Sequence, residues 1–413
     1  MSGNANVPKL RFPEFRDAGE WKLIPLNKQA KRCTRKNRDG EVKRVFTNSA
    51  EYGVVDQRDY FDKDIATQGN LEGYFIVEKR DYVYNPRISA TAPVGPISKN
   101  NIATGVMSPL YTVFRFTNGE NDFYAFYFKT TGWHHYMRQA SSTGARHDRM
   151  AIANDDFMAM PLPVTCPEEQ QKIADCLSSL DELIAAEAQQ LAALKAHKKG
   201  LMQQLFPAEG ETVPRLRFPE FRDAPEWGGK TAGTLFANRV EDGEDGLPIY
   251  SVTMNDGMVK RSSLERRVDD IAESGGNKKV CKDDIAYNMM RMWQGAFGVS
   301  KEDCMVSPAY VVLSPENDAC PNFFGHLFKL PKYLQLLTSH SQGLTLDRLR
   351  LYYKDFARIP VLIPSPPEQQ KIADCLTSLD NLIAAQAQQT DRLKAHKKGL
   401  MQQLFPSADE VAE

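Results

Sequence analysis

Two polar stretches of this chain carry side chains of the kinds that contact nucleic acid. After Tyr84-Asn85 come Arg87, Ser89 and Thr91, and after the matching Tyr287-Asn288 come Arg291, Trp293 and Gln294. Arginine can fork to guanine and glutamine to adenine, so these types could read base edges. Further along, polar loops supply Ser142, Thr143, Arg146, His147 and Arg149 in one half and Gln342, Thr345, Arg348 and Arg350 in the other. Cations crowd a third stretch, Lys31, Arg32, Arg35, Lys36, Arg38, Lys43 and Arg44, and a smaller one, Lys278, Lys279 and Lys282. For each of these residues a phosphate contact or a solvated surface position competes with base readout.

Signatures of catalysis fail on inspection. Gly229-Lys230-Thr231 resembles the end of a phosphate-binding loop, but Ala224 stands where that loop requires glycine. Asn85-Pro86 runs into Arg87 instead of the second proline and aromatic of an amino-methyltransferase motif, and no glycine-rich S-adenosylmethionine loop accompanies it. Glu41-Val42-Lys43 has nuclease-like spacing, a pairing that charge-rich chains produce by chance. His134-His135, His197 and His396 form no metal-like cluster. The seven cysteines, Cys33, Cys166, Cys176, Cys281, Cys304, Cys320 and Cys375, are odd in number and contain no C-x-x-C pair. This argues against a disulfide framework and a zinc site, so reduced thiols and no cofactor or metal are expected.

A chain of 413 residues is long enough for two or three domains, each with its own core. Its polar start, MSGNANVPKL, and the lack of any apolar run of about 18 residues predict neither signal peptide nor membrane span, hence a soluble cytoplasmic protein. The formal net charge is −1 but unevenly placed. Residues 22–165 carry about 20 Lys/Arg against about 15 Asp/Glu, while residues 228–365 carry about 17 of each. The first half is mildly basic.

What must position these residues is a repeated frame. Residues 170–207 recur almost letter for letter at 369–406, and VPKLRFPEFRDAGEW at 7–21 returns as VPRLRFPEFRDAPEW at 213–227. The segments between have diverged. Ile173, Leu177, Leu180, Ile184, Leu191, Leu194, Leu201 and Leu205 fall on alternating four- and three-residue steps, as do Ile372, Leu376, Leu379, Ile383, Leu393, Leu400 and Leu404. That is a coiled-coil seam. Pro167 and Pro366 suit a first helical position, Ser365 with Glu368 suggests a capping box, and Pro207 and Pro406 stop each helix. Such a helix would span about 57 Å. Glu187, Lys198, Gln386, Thr390 and Lys397 interrupt the seam, and Gly200 and Gly399 lie inside it, implying a close helix approach or another packing partner. The layout expected is a variable domain at 1–165, a helix at 166–207, a second domain at 208–365, a helix at 366–406 and a tail at 407–413.

The inserts share a skeleton. Asp81–Asn85 aligns with Asp284–Asn288 as a strand, VMSPLYTVF at 106–114 and MVSPAYVVL at 305–313 read as buried strands, and FYAFYFKTTGWHHYMRQ at 123–139 matches FFGHLFKLPKYLQLLTS at 323–339 as helix. The aromatics there belong to a core rather than to base-stacking platforms.

The lead-in LRFPEF…EW at Leu10–Trp21 and Leu216–Trp227, PEEQQKIADCL at 167–177 with PPEQQKIADCL at 366–376, and the two SP-containing segments give the chain a family likeness. It resembles, over nearly its whole length, the specificity subunit of a Type I restriction-modification system. The resemblance implies two α/β (α+β) target-recognition domains joined by two antiparallel coiled-coil helices in a pseudo-twofold repeat. It implies a non-catalytic chain that reads a bipartite, non-palindromic double-stranded DNA target in a bacterial or archaeal cell, close to the nucleoid. Two methyltransferase subunits holding S-adenosylmethionine, and two ATP- and Mg-dependent motor-nuclease subunits, are the implied partners. A coiled-coil adaptor with two protein-binding ends is the alternative, as is the specificity subunit of a methylation-only system. The order of the repeats further predicts that Met1 and Glu413 lie close together.

Overall fold

A computed structural model describes residues 7–60, 71–117, 122–141, 148–264, 276–316, 318–345 and 348–406. The chain forms two compact units, Met1–Ala188 with Gln389–Glu413, and Gln189–Gln388. The first contains β1 (Lys22–Pro25), β2 (Ala30–Arg32), β3 (Phe46–Ser49), β4 (Gly53–Asp56), β5 (Phe75–Val77), β6 (Tyr82–Tyr84), β7 (Ile97–Lys99), β8 (Gly105–Met107), β9 (Thr112–Phe116) and β10 (Pro161–Val164). A central antiparallel sheet has the order β2-β9-β6-β7, and β1 pairs with β10, β3 with β4, and β5 with β8.

Alternation along the central strands explains why both faces of that sheet are covered. Tyr82, Tyr84, Phe114 and Phe116 point to a core shared with the helix Phe123–Tyr127 and with Trp133. Val83 and Val113 point the other way, toward Phe46, Val54, Val77 and Met107. With neither face wet, the strands read as continuous apolar runs. The aromatics of 123–139 are core, as the sequence implies: Phe123, Tyr124, Phe126, Tyr127 and Trp133 are all buried.

The second unit repeats the plan with β11 (Gly228–Thr231), β12 (Phe236–Arg239), β13 (Tyr250–Thr253), β14 (Gly257–Lys260), β15 (Lys278–Val280), β16 (Ile285–Asn288), β17 (Phe297–Val299), β18 (Cys304–Val306), β19 (Tyr310–Pro315) and β20 (Pro360–Ile363). Its sheet order is β12-β19-β16-β17. Ile285, Tyr287, Val311 and Leu313 face the helices, and Ala286 and Val312 face Val252, Val280, Cys304 and Val306. Each SP-containing segment forms two strands joined by a turn. A buried aspartate begins each central strand: Arg115 bonds Asp81 at 2.6 Å and Arg239 bonds Asp284 at 2.6 Å.

The long helices run Pro167–Leu205 and Pro366–Leu404, 39 residues each. At about 1.5 Å per residue that is ~58 Å. In the first unit the start of the first helix meets the end of the second, Ile173 and Leu177 clustering with Leu400, Leu404 and Phe405. In the second unit the roles exchange, with Ile372 and Leu376 against Leu201, Leu205 and Phe206. Within each unit the pair is antiparallel. The seam lysines are partnered in the same exchanged way: Lys397 binds Asp181 and lies 4.8 Å from the Phe126 ring centroid, and Lys198 binds Asp380 at 2.5 Å. Ile184, Leu191, Leu194, Ile383 and Leu393 are half-buried. A Cβ at Gly200 or Gly399 would meet nothing within 4 Å, so no close helix approach accounts for either glycine.

The lead-in motif docks on the helices. Arg11 grips Glu169 with two bonds of 2.6 and 2.7 Å and reaches the carbonyls of Ala18 and Gly19. Trp21 donates to the same carboxylate at 3.1 Å, and the Thr165 hydroxyl also binds it. In the second unit Arg217 grips Glu368 through two bonds of 2.7 Å and holds the carbonyls of Ala224 and Pro225. Glu368 thus gives both oxygens to Arg217, which replaces the capping box expected with Ser365. The Trp227 indole nitrogen, by contrast, is buried with no hydrogen-bond partner among the described residues. The amide of Leu10 bonds the Gln403 carbonyl at 2.9 Å, and that of Leu216 bonds Gln204 at 2.9 Å. Met1 and Glu413 lie outside the described residues, but Leu10 and Gln403 bring the two ends of the described chain together.

Removing one partner of a buried ion pair strands the other charge, at a cost of about 3–5 kcal/mol. Glu169→Ala is expected to destabilise the first unit by about that much, and by more than Glu368→Ala destabilises the second, because Trp21 and Thr165 lose a partner too. Denaturant melts of the two variants test the order. A second prediction concerns His326, which is buried where the first unit has Phe126. Lys198, Asp380, Lys329 and Thr377 surround it, and burial, then Lys198, pushes its imidazole down to about 4. The unfolded chain, with histidine near 6.5, takes up the proton first, so this contribution to stability is present above about pH 6.5 and lost as pH falls toward 4. His326→Phe is expected to flatten that part of the stability-against-pH curve, read from melts between pH 7 and 5.

Candidate nucleic-acid interface

The connection from β6 to β7 begins at Asn85, whose amide bonds the Pro96 carbonyl at 2.9 Å and closes the loop at its base. Gly95, with φ of +81°, lies so close that a Cβ there would sit 2.1 Å from the Asn85 oxygen. Inside the loop, Ser89 to Ala92 forms a tight turn in which the Ser89 and Thr91 hydroxyls lie 3.2 Å apart. Arg87, Ser89 and Thr91 are all exposed. Residues 148–150 come alongside: Arg87 and Arg149 are bridge partners, Ile88 donates to Asp148 at 3.1 Å and Met150 to Pro86 at 2.9 Å. Two stretches about sixty residues apart in the chain therefore form one surface. Ser142, Thr143, Arg146 and His147 lie outside the described residues.

The second unit builds the same place differently. Arg291 leads a short turn, Met292–Gln294, that ends at Gly295 with φ of +86°. The Arg291 guanidinium reaches Gln294 at 3.4 Å, and the half-buried Trp293 donates its indole N–H to Met290 at 3.0 Å. The later loop returns beside it, with Leu351 donating to Met289 at 2.9 Å. Gln342 and Arg350 are bridge partners through two bonds of 2.8 Å, and the Gln342 side chain is held by Asp355 at 2.8 Å. Thr345 and Arg348 are exposed on the loop between.

The basic stretches have other surroundings. Arg35 and Asn37 pair along β5 through Ile76 and Tyr74. Lys31, Arg32, Arg35, Arg115 and Glu78 line a cavity of about 530 Å³. Lys31 opposes Arg115 in the sheet, beyond the Tyr82 end of β6, whereas Arg87 follows the Tyr84 end. The Arg32 Nε is buried without a hydrogen-bond partner among the described residues. Lys36 and Arg38 are exposed, and Arg44 pairs with Asp56 at 2.7 Å. Two of the three lysines in the smaller cluster are bound up in the fold, and Lys282 is exposed. Lys278 donates to the Tyr310 carbonyl at 2.7 Å and burial lowers its pKa, while Lys279 pairs with Glu244 at 2.5 Å, which raises its own.

One surface feature goes unnoticed in the sequence. A cleft of about 690 Å³ in the first unit has Thr91 on one wall and Glu51 and Tyr52, from the turn between β3 and β4, on another. The signal was a glycine closing each hairpin, Gly53 and Gly257, with unlike residues before it. Elsewhere, Gly229-Lys230-Thr231 lies in β11, paired with β20, and Lys230 bonds Asp318, so it cradles nothing. All seven cysteines are free, and burial pushes Cys33 and Cys304 up to about 11, far from a reactive thiolate. Among the described residues no group of three or more metal-ligand side chains converges, and no helix is long and apolar enough to cross a membrane.

Residues 36–196 and 230–395 match the family model described as the Type I restriction modification DNA specificity domain. The specificity subunit named for the type I restriction enzyme MjaX of Methanocaldococcus jannaschii is 22% identical over 270 residues. That match covers 62% of this chain and 61% of the relative's length. Among solved structures, the S subunit of a Type-I restriction-modification system from M. genitalium gives a TM-score of 0.57 at 15% identity, over 97% of this chain and 99% of that one. A chain from work on complex assembly and conformational transition of the type I R-M system gives 0.53 at 15% identity, over 94% and 98%. At such identity the likeness is one of fold.

Proposed function

The chain belongs to the Type I restriction-modification DNA specificity family, and from that footing we propose that it is the non-catalytic subunit that selects the DNA sequence. One observation carries the reading. The two units share a backbone plan, down to the buried arginine–glutamate pairs that hold their lead-in motifs, yet where the loop after the central strand meets the loop before the long helix, the side chains differ. Arg87, Ser89, Thr91 and Arg149 occupy that junction in one unit, and Arg291, Trp293, Gln294 and Arg350 in the other. A framework that fixes position while its loops vary is the arrangement that base readout needs.

Each unit then reads one half of a bipartite duplex target, and the 39-residue helices set the number of unread base pairs between. Surfaces along the frame recruit two methyltransferase subunits, which hold S-adenosylmethionine, and through them two ATP- and Mg-dependent motor-nuclease subunits. The exposed Lys36 and Arg38 contact phosphates.

Mapping the modified adenines in cells with and without this chain tests the reading. The expected target has two unlike half-sites separated by unspecified bases. A single uninterrupted motif, or a perfect palindrome, overturns it. Inserting four residues beside Gln190 would lengthen the first helix by about 6 Å and prevent Asp181 and Lys198 from both keeping their partners. The expected result is a changed gap between half-sites or lost binding. An unaltered target and affinity would remove the helices from any role in spacing.

A further inference from the structure

We propose that the two hairpin tips, Glu51-Tyr52 between β3 and β4 and Asn255-Asp256 between β13 and β14, contact DNA bases and set part of each unit's sequence preference. This rests on the DNA reading above and adds a third reading element to the two loops.

The two tips have the same scaffold. The Ser49 hydroxyl accepts the amides of Glu51 at 3.2 Å and Tyr52 at 3.3 Å, and the Thr253 hydroxyl accepts that of Asp256 at 3.0 Å. Gly53 and Gly257 close the turns at φ of +68° and +64°, where a side chain would be strained. Each hairpin is then fixed to the sheet. A Cβ at Gly53 would lie 3.4 Å from Ser98, and one at Gly298 would lie 2.5 Å from the Met258 amide, so the two strands pack backbone to backbone in the second unit. In the first, the Asn48 side chain bonds the carbonyls of Val83 and Pro96 at 2.8 and 3.1 Å, and Asn85 bonds the Asn48 carbonyl at 2.9 Å. The tip is therefore held in register with the loop that carries Arg87 and Thr91.

On that constant scaffold the side chains diverge completely, Ala50-Glu51-Tyr52 in one unit and Met254-Asn255-Asp256 in the other. All are exposed, Tyr52 at 63% and Met254 at 47%. Tyr52 meets the Tyr60 ring edge-on, with centroids 6.2 Å apart, and still leaves most of its surface open to a ligand. Phosphate cannot be the ligand, since Glu51 and Asp256 would repel it. A carboxylate suits the amino group of cytosine instead, and an asparagine forks to the N6 and N7 edge of adenine. By this side-chain chemistry Glu51 is matched to a cytosine and Asn255 to an adenine, with Tyr52 beside the first.

The test uses the full chain assembled with its methyltransferase subunits, binding and methylating a library of duplexes. Asn255→Ala is expected to relax preference at one base position in one half-site by roughly tenfold to a hundredfold, leaving the other half-site unchanged as an internal check on folding. Glu51→Ala is expected to do the same in the opposite half-site. If both variants weaken all sequences equally, or change none, the tips do not read bases. Should Asn255→Ala fail to assemble, Asn255→Asp keeps the shape of the turn, and an unchanged base preference in that variant overturns the proposal equally. Failure of the underlying reading looks different, because the unaltered complex would then show no sequence preference at all.

Discussion

The rest of the architecture depends on a buried arginine–glutamate pair made twice, Arg11 with Glu169 and Arg217 with Glu368. The arginine side chains are 7% exposed and the glutamates 0% and 1%. Desolvating such charges is expensive, and the attraction repays it only with good geometry and further hydrogen bonds to the groups left over. Both pairs have them, since each guanidinium forks onto the carboxylate and also takes carbonyls of the turn that follows. The pair thereby fastens the lead-in motif to the first turn of a long helix. Around it Glu14 and Glu220 reach Lys172 and Lys371, at 3.3 and 3.1 Å, repeating the joint at its rim. From this joint the strand pairs β1–β10 and β11–β20 take their place, and through them the central sheets.

Much of this was legible in the sequence because it is repeated or periodic. Pro167 and Pro366 begin their helices as expected, and Pro207 and Pro406 stand two residues beyond the ends. The seam leucines follow from their spacing, and the strands at Asp81 and Asp284 from the alignment of the two halves. What was hidden depends on partners distant in the chain. Glu368 looks like a capping residue until Arg217, 151 positions away, is seen to hold it. Lys278 and Lys279 look like a free basic patch until Tyr310 and Glu244 take their ammonium groups. The hairpin tips escaped because a four-residue turn has no periodicity, and only its geometry reveals that Ser49 and Thr253 do the same work.

The central sheets explain how such different loops are tolerated. With both faces covered, the strands draw their stability from Tyr82, Phe114, Val83 and their counterparts, all inside the cores. The loops at the strand ends are anchored by a few apolar side chains, Val94 in one unit and Met292 and Leu351 in the other, and leave their remaining polar residues outside. They can change residue type, and even conformation, as the short helical turn at Met292–Gln294 shows, without disturbing the strands that carry them.

The exchange of helix ends between units has a consequence for the order in which the protein is made. The core of the first unit includes Leu404 and Phe405, the latter with ring centroids 5.2 Å from Phe123 and 6.5 Å from Trp21. The second unit lies entirely within Gln189–Gln388. A ribosome working at about 5–20 residues per second therefore delivers every piece of the second core before the last piece of the first. The N-terminal globule waits tens of seconds with Trp21 and Phe123 uncovered, and the last residues translated into the second helix are the ones that seal it.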